Sequence, residues 1–194
     1  IGHIWSDEIA PVAAIHESKI VQPLEIYYSK KHNIVILHAM SDVRGLEWKI
    51  SDSLEELYKL LKATEIISLE GIMSEKKEGE TYFYAAQANN TKKLGKIGLK
   101  PLKEGVIMGV TAAILLKNKT MNSTGIFVET HTKLPDSKSS AKIIENLNNY
   151  LGLGIDTKPL IAAAEQFEAK LKGYMQKVKT AQKGTQKKAV DYMG

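Results

Sequence analysis

The sequence predicts a three-layer α/β fold in which helices cover both faces of a mixed sheet. Three segments are apolar without interruption: Ile34–Ala39, residues 105–110 and residues 126–128. A strand between two layers of helices has no solvent-facing side, so its side chains do not alternate between apolar and polar. We therefore expect these three segments to be the central strands of one sheet.

Alternating segments precede the first apolar run and predict half-exposed strands. Residues 9–16 and Leu24–Ser29 both alternate, with a polar turn at residues 17–19 between them. Tyr27 and Tyr28 of the second segment are expected to be half-exposed, which suits a protein interface. Further strands are expected at residues 66–69 and 82–86.

Two helices are predicted from local start and stop signals. Residues 52–55 have the pattern of a capping box, in which a side chain before the helix and one in its first turn satisfy free N–H groups. Apolar residues then fall on one face of this first helix: Leu54, Leu57, Tyr58 and Leu61. A second helix is expected to begin at Asp136, just after Pro135, and to end at Gly152.

A long C-terminal helix is predicted to begin at residues 156–157. Its apolar residues are spaced alternately four and three apart: Leu160, Ala164, Phe167, Leu171, Tyr174 and Val178. This heptad-type seam packs either on the sheet or against a neighbouring subunit, and the two interpretations are compatible. In the second, Phe167, Leu171 and Tyr174 form an interface between copies of a homo-oligomer.

The seam ends after Thr180, and this sets the predicted domain organisation. Residues 1–180 are expected to form a single α/β domain, and residues 181–194 a flexible lysine-rich tail. The net charge is +5, and seven lysines but a single acid lie from Lys170 onward, so the remainder is nearly neutral. Arg44 is the only arginine. Because specific nucleic-acid recognition favours arginine and stacked aromatic side chains, we expect no specific nucleic-acid partner.

The composition also predicts a cytoplasmic protein that does not cross a membrane. No apolar run approaches the length of about 20 residues needed to span a bilayer, and the first residues lack the pattern of a signal peptide. Cysteine is absent, which excludes disulfides, thiolate nucleophiles and zinc–thiolate sites. The five histidines are scattered without metal-ligand spacing, so neither metal nor cofactor is expected.

Two features invite an enzymatic interpretation. Gly109 lies at a predicted strand-to-helix junction, where backbone amides attract phosphate. Glu129 and His131 would point to the same side of a strand end, as acid and base groups often do. No Walker-type lysine follows Gly109, and no serine has the nucleophile-elbow pattern. We expect no enzyme; a small-molecule or nucleotide-binding enzyme with a site near these three residues is the alternative.

Several segments of the second half follow one another in a recognisable order. Residues 105–116 are followed by residues 125–130, by Leu134-Pro135-Asp136, and by a closing helix that contains Leu160, Ala164, Glu165 and Phe167. This succession resembles the PAC2 family, the proteasome assembly chaperones and their archaeal homologues. Residues 9–13 and 23–27 are similar to the second strand region of that family.

The resemblance implies a fold akin to the nucleoside phosphorylases, self-association and a non-enzymatic role. It implies that Glu129 and residues 135–136 are structural, and that a tail ending in hydrophobic-Tyr-X docks between proteasome α subunits. Tyr192 and Met193 are the partner-binding residues this suggests, although Tyr192 is third from last and follows Asp191. Family members also open with a strand, a glycine-rich turn and a helix, and we expect residues 1–180 to lack this unit; a chain trimmed at both ends would explain this and the position of Tyr192.

Overall fold

The computed structural model describes residues 1–16, 18–74, 79–130, 136–159, 161–163, 165, 166 and 169. The first half of the chain is rich in strands: β1 Gly2–His3, β2 Ala14–His16, β3 Lys19–Val21, β4 Leu24–Ser29, β5 Ile34–Ala39, α1 Glu47–Leu60, β6 Ile66–Met73 and β7 Thr81–Ala85. The second half alternates helices and strands: α2 Ala88–Lys96, β8 Lys100–Pro101, α3 Gly109–Leu116, β9 Ser123–Thr130 and α4 Ser137–Leu151.

The chain divides into two compact units. Unit 1 consists of Ile1–Glu70 and Phe83–Ile126, and unit 2 of Gly71–Tyr82 and Phe127–Gly194. Strands β6, β7 and β9 each contribute residues to both units.

Unit 1 contains an antiparallel sheet of three strands in the order β1-β4-β5. One face of this sheet packs on a core formed with α1 and α3, in which Leu24, Ile50 and Ile114 are buried. Lys117, directly after α3, donates to the carboxylates of Asp52 and Glu55 on α1. Lys59 and Lys117 lower the pKa of Glu55 to about 2, so this carboxylate is ionised at neutral pH.

Strands β2 and β3 form a separate two-stranded hairpin in unit 1. The sequence predicted one longer strand over residues 9–16 followed by a turn at 17–19. The structure has a shorter strand, Ala14–His16, that pairs back on Lys19–Val21. Strand β4 has the predicted bounds.

The second sheet has the strand order β6-β9-β7-β8 and is mixed. The N–H of Ile66 donates to the carbonyl of Asn122 at 2.9 Å, and that of Ser74 to Thr130 at 3.0 Å, so β6 runs parallel to β9. Strand β7 is antiparallel to β9. The N–H of Glu129 donates to the carbonyl of Glu80 at one end, and the N–H of Ala86 donates to the carbonyl of Ser123 at the other. The predicted mixed α/β class is confirmed.

Two of the three predicted central strands are wrong. Strand β5 exists with the predicted bounds, but it is the edge of the three-stranded sheet and half of its residues are exposed. Residues 105–108 are irregular, and Val106 and Met108 are exposed. Gly109, with φ +75°, opens helix α3 instead of continuing a strand. The third prediction holds, since β9 is buried from Ser123 to Glu129 between two neighbours.

The helix predictions differ in accuracy. Helix α1 begins at Glu47, five residues before the predicted capping box, and has no side-chain cap on its first residues. Helix α4 matches its prediction. The Asp136 carboxylate accepts a hydrogen bond from the Ser139 N–H at 3.0 Å, and Gly152 ends the helix with φ +64°.

The C-terminal predictions stay predictions. Helical residues follow Thr157, whose carbonyl accepts from the Ile161 N–H. The seam positions and the predicted tail lie outside the described residues. The same holds for the domain boundary at residue 180, and the three-layer arrangement and the likeness to nucleoside phosphorylases also remain predictions. Within the described part of the chain, no helix combines the length and the apolarity needed to cross a membrane.

Candidate interaction surface and the Glu129 cluster

One face of the three-stranded sheet in unit 1 is uncovered by the described residues of that unit. Strand register places His3, Glu25 and His38 in one row across β1, β4 and β5. Tyr27 and Ile36 pair in the next row and are 44% and 53% exposed. We call these five residues, together with Ile1, the outer face. The opposite side carries Leu24 and Leu37, which contact the core.

The outer face carries a fixed negative charge. The Tyr27 hydroxyl donates to the Glu25 carboxylate, and the Gln22 N–H donates to it at 2.9 Å. These hydrogen bonds lower the pKa of Glu25, so it is ionised at neutral pH. The same hydroxyl contact raises the pKa of Tyr27. The face therefore exposes an aromatic and an apolar side chain beside an anion, and exposed aromatic residues are enriched at protein interfaces.

A polar cluster in unit 2 contains Glu129, the acid singled out in the sequence. Its buried carboxylate accepts the Glu80 N–H at 2.9 Å, and the Tyr82 hydroxyl lies 3.4 Å from its other oxygen. That hydroxyl donates to the Glu80 carboxylate at 2.7 Å. The main-chain oxygen of Glu129 accepts the Ser139 hydroxyl at 2.8 Å. Thus Glu129 joins strand β9 to the segment before β7 and to helix α4.

Close backbone packing completes this cluster. A Cβ atom at Gly79 would lie 2.7 Å from the main-chain oxygen of Glu129, so a side chain cannot be added without movement of the backbone. The Lys142 ammonium donates to the Gly79 carbonyl, and Asn146 donates to the Thr81 hydroxyl at 3.1 Å. These contacts connect α4 to the chain that enters β7. They support the structural role that the resemblance implied for Glu129.

Tyr82 should titrate far above an ordinary tyrosine. Its hydrogen bond to Glu80, followed by burial and the charge of Glu129, raises the pKa of Tyr82 from 10.0 to about 12. Because the folded state holds the proton more tightly, this contribution to stability is complete below pH 10 and is lost between about 10 and 12. We expect the difference in tyrosinate absorbance between the wild type and Tyr82→Phe to rise near pH 12. A difference curve centred near pH 10 would contradict the prediction.

Two of the site residues predicted from the sequence, Gly109 and Glu129, lie in the described part of the chain. Gly109 is the first residue of α3 in unit 1, and Glu129 is hydrogen-bonded within unit 2. His131, the interface candidates Phe167, Leu171 and Tyr174, and the tail candidates Tyr192 and Met193 lie outside the described residues. Among the described residues, no group of three histidines or acids is arranged to hold a metal ion.

The outer face is a feature that sequence reasoning identified only in part. Tyr27 and Tyr28 were expected to be half-exposed, and both are. They lie on opposite sides of β4, however, because successive side chains of a strand alternate. Their neighbours Glu25 and Ile36 were not singled out, since the pairing of β4 with β5 becomes visible only in the sheet. His38, at the end of the apolar run, was expected to be a core residue, and it is exposed instead because β5 is an edge strand.

The fold and these surfaces define an α/β protein with an exposed mixed apolar and charged face. The family model described as the PAC2 family matches residues 1–175, and the chain belongs to that family. An uncharacterized protein of Methanocaldococcus jannaschii is 28% identical over 176 residues, covering 88% of this chain and 71% of the relative.

Solved structures resemble the chain over nearly its whole length. Pyrococcus furiosus PbaA, described as an archaeal homologue of proteasome-assembly chaperone, is 28% identical with a TM-score of 0.77. That match covers 97% of this chain and 80% of PbaA. PbaB of the same organism, described as an archaeal proteasome activator, has a TM-score of 0.68 at 16% identity, covering 90% and 80% of the two chains. At that identity PbaB supports the fold alone.

Proposed function

We propose that this protein is a non-enzymatic proteasome assembly chaperone or adaptor that works in the cytoplasm. The observation that carries the proposal is the similarity to PbaA over 97% of the chain, within a family match that covers residues 1–175. PbaA is itself described as a homologue of a proteasome-assembly chaperone. Shared sequence and fold over this length support a shared kind of role.

The geometry of unit 2 supports binding rather than catalysis. A general acid or base needs a carboxylate that can reach a substrate proton. The Glu129 carboxylate is buried and accepts the Glu80 N–H, and the nearby Tyr82 hydroxyl is held by Glu80. These contacts stabilise the strand end. The exposed outer face of unit 1, in contrast, presents apolar area that a protein partner can cover.

We place the contact with proteasome α subunits in the C-terminal tail. Residues 183–194 contain one aromatic residue, Tyr192, among lysines and small residues. A flexible tether lets a short anchor reach its pocket while the folded domain lies elsewhere, and aromatic side chains are frequent anchors. Tyr192 and Met193 are the proposed anchor, and the lysines steer the encounter.

Deleting residues 183–194 tests this proposal. We expect an almost unchanged melting temperature, because this segment lacks the apolar seam, and at least about tenfold weaker capture of proteasome α rings. Tyr192→Ala should reproduce most of the loss. As a control, replacing Lys183, Lys187 and Lys188 by serine should weaken capture modestly and reduce its salt dependence. Unchanged capture after the deletion would refute the role of the tail.

Self-association is the second part of the proposal. Phe167, Leu171 and Tyr174 belong to the heptad-type seam and are proposed to contact another copy of the chain. The exposed Tyr27 and Ile36 of the outer face add apolar surface suited to such an interface. An oligomer would also present several tails at once, which increases avidity for a ring of repeated α subunits.

A further inference from the structure

A polar cluster in unit 1 joins strand β6 to the start of helix α3. Glu70 lies on β6 two residues after Ser68, so the two side chains point to the same face of the strand. Thr111, in the first turn of α3, is buried. Its hydroxyl lies 2.6 Å from the Ser68 hydroxyl and is also hydrogen-bonded to the Glu70 carboxyl group. Two hydroxyl groups and one carboxyl group therefore connect α3 to β6.

The Glu70 carboxyl group has no compensating cation among the described residues. Its Oε2 atom is buried, and no described donor bonds to it. Helix α3 contains no ionisable residue, and Lys117, directly after it, is paired with Asp52 and Glu55. An ionised Glu70 would thus place negative charge on an oxygen that is both buried and without a donor, which is costly.

The remaining ionisable groups on and next to these elements do not supply a positive charge. Glu65, directly before β6, accepts hydrogen bonds from Asn90 and Thr124. Glu104, in the segment that leads to α3, is exposed. On β9, the neighbour of β6, Glu129 is the one ionisable residue. The state of the cluster is therefore governed by burial and by its two hydroxyl groups.

Burial and hydrogen bonding have opposite effects on this carboxyl group. Burial is the larger effect and raises the pKa of Glu70 above the ordinary 4.5, because the charged form loses water. The hydrogen bond from Thr111 favours the charged form and lowers the pKa by a smaller amount. The folded protein therefore holds a proton on Glu70 at pH values where an exposed glutamate has lost it.

We propose that Glu70 is a proton-controlled latch that holds the first turn of α3 against β6. In the neutral form its O–H donates to Thr111, whose hydroxyl donates to Ser68, so the three groups are joined without a buried charge. Ionisation removes this proton and leaves one carboxylate oxygen without a donor. The first turn of α3 then opens to hydrate the charge, and the exposed segment 105–108 that leads into it moves as well.

An NMR titration of the full 194-residue chain, labelled with ¹³C-glutamate, tests the latch. We expect the Glu70 carboxyl carbon to titrate with a midpoint above 4.5. Hydrogen exchange then measures opening at the N–H groups of Ala113 and Ile114, whose helical acceptors are the carbonyls of Gly109 and Val110. After correction for the intrinsic exchange rate, their protection should fall across the same midpoint. A midpoint at or below 4.5, or protection that does not follow it, would overturn the proposal.

Two variants separate the latch from an ordinary acid. Glu70→Gln is permanently neutral, so Ala113 and Ile114 should stay protected across the titration. Thr111→Val removes the linking hydroxyl, so protection should be low at every pH, and the Glu70 midpoint should rise further because the hydrogen bond that favours the charge is lost. Glu56→Gln changes an exposed acid of α1 and should behave as the wild type. Wild-type behaviour of Thr111→Val would contradict the latch.

Thermal melting provides a second measurement. Because the folded state binds the Glu70 proton more tightly, this contribution to stability is complete below pH 4.5 and is lost as the pH rises to the folded pKa. The melting temperature of Glu70→Gln minus that of the wild type should therefore increase above pH 4.5, and a constant difference would count against the latch. The wild-type titration needs no variant, and none of these measurements depends on the capture of α rings.

Discussion

Replacing Phe127 by alanine is expected to lower the free energy of unfolding by about 3–5 kcal/mol. Phe127 is completely buried in β9, the strand that lies between β6 and β7. Its removal leaves a cavity that the sheet cannot fill, since strand pairing on both sides fixes the backbone. Chemical denaturation of the wild type and the variant measures the difference.

Tyr84→Ala is the matched control for Phe127→Ala. It also removes an aromatic ring from a strand, but Tyr84 is exposed. We expect a loss of at most about 1 kcal/mol, the size of a cross-strand contribution at a surface position. Equal losses for the two variants would mean that the Phe127 ring is not part of a tightly packed core.

Local signals in the sequence were sufficient where one residue sets an element boundary. Asp136 and Gly152 mark the two ends of α4 because an acid caps the free N–H groups and glycine accepts a left-handed backbone. The bounds of β4 and β5 followed from composition and from the polar turn between them. Such helix ends and strand bounds are set by residues adjacent in the sequence, so they can be predicted without a structure.

The sequence was less informative about the position of each strand in a sheet. The run Ile34–Ala39 was predicted to be central, yet β5 is an edge strand, because an apolar run does not say which neighbour covers it. Residues 105–108 are equally apolar but irregular, and the left-handed Gly109 then opens a helix. The exposure of Val106 and Met108 could not be inferred from their residue types.

The candidate surfaces show the same limit. Alternation identified Tyr27 as half-exposed, but the register between β4 and β5 is needed to bring Ile36 beside it. The exposed pair Ile15 and Ile20 likewise depends on a hairpin that begins later than the alternation indicated. Residue types therefore predicted the kind of surface, and strand pairing determined its membership.

Replacing Glu129 distinguishes a structural acid from a catalytic one. Glu129→Ala removes the acceptor of the Glu80 N–H in a buried setting, and we expect a loss of about 1–3 kcal/mol in the free energy of unfolding. Glu129→Gln keeps an oxygen that can accept the same hydrogen bond, so its loss should be under about 1 kcal/mol. Denaturant titration at neutral pH measures both.

The Glu129→Gln variant also tests whether capture of α rings needs the charge of Glu129. If Glu129 only holds the end of β9 against β7 and α4, Glu129→Gln should capture proteasome α rings as the wild type does, because the tail and the exposed surfaces are unchanged. A stable Glu129→Gln protein that no longer captured α rings would instead show that binding requires the charge itself. That outcome would contradict the purely structural role inferred from the hydrogen bonds of Glu80 and Ser139.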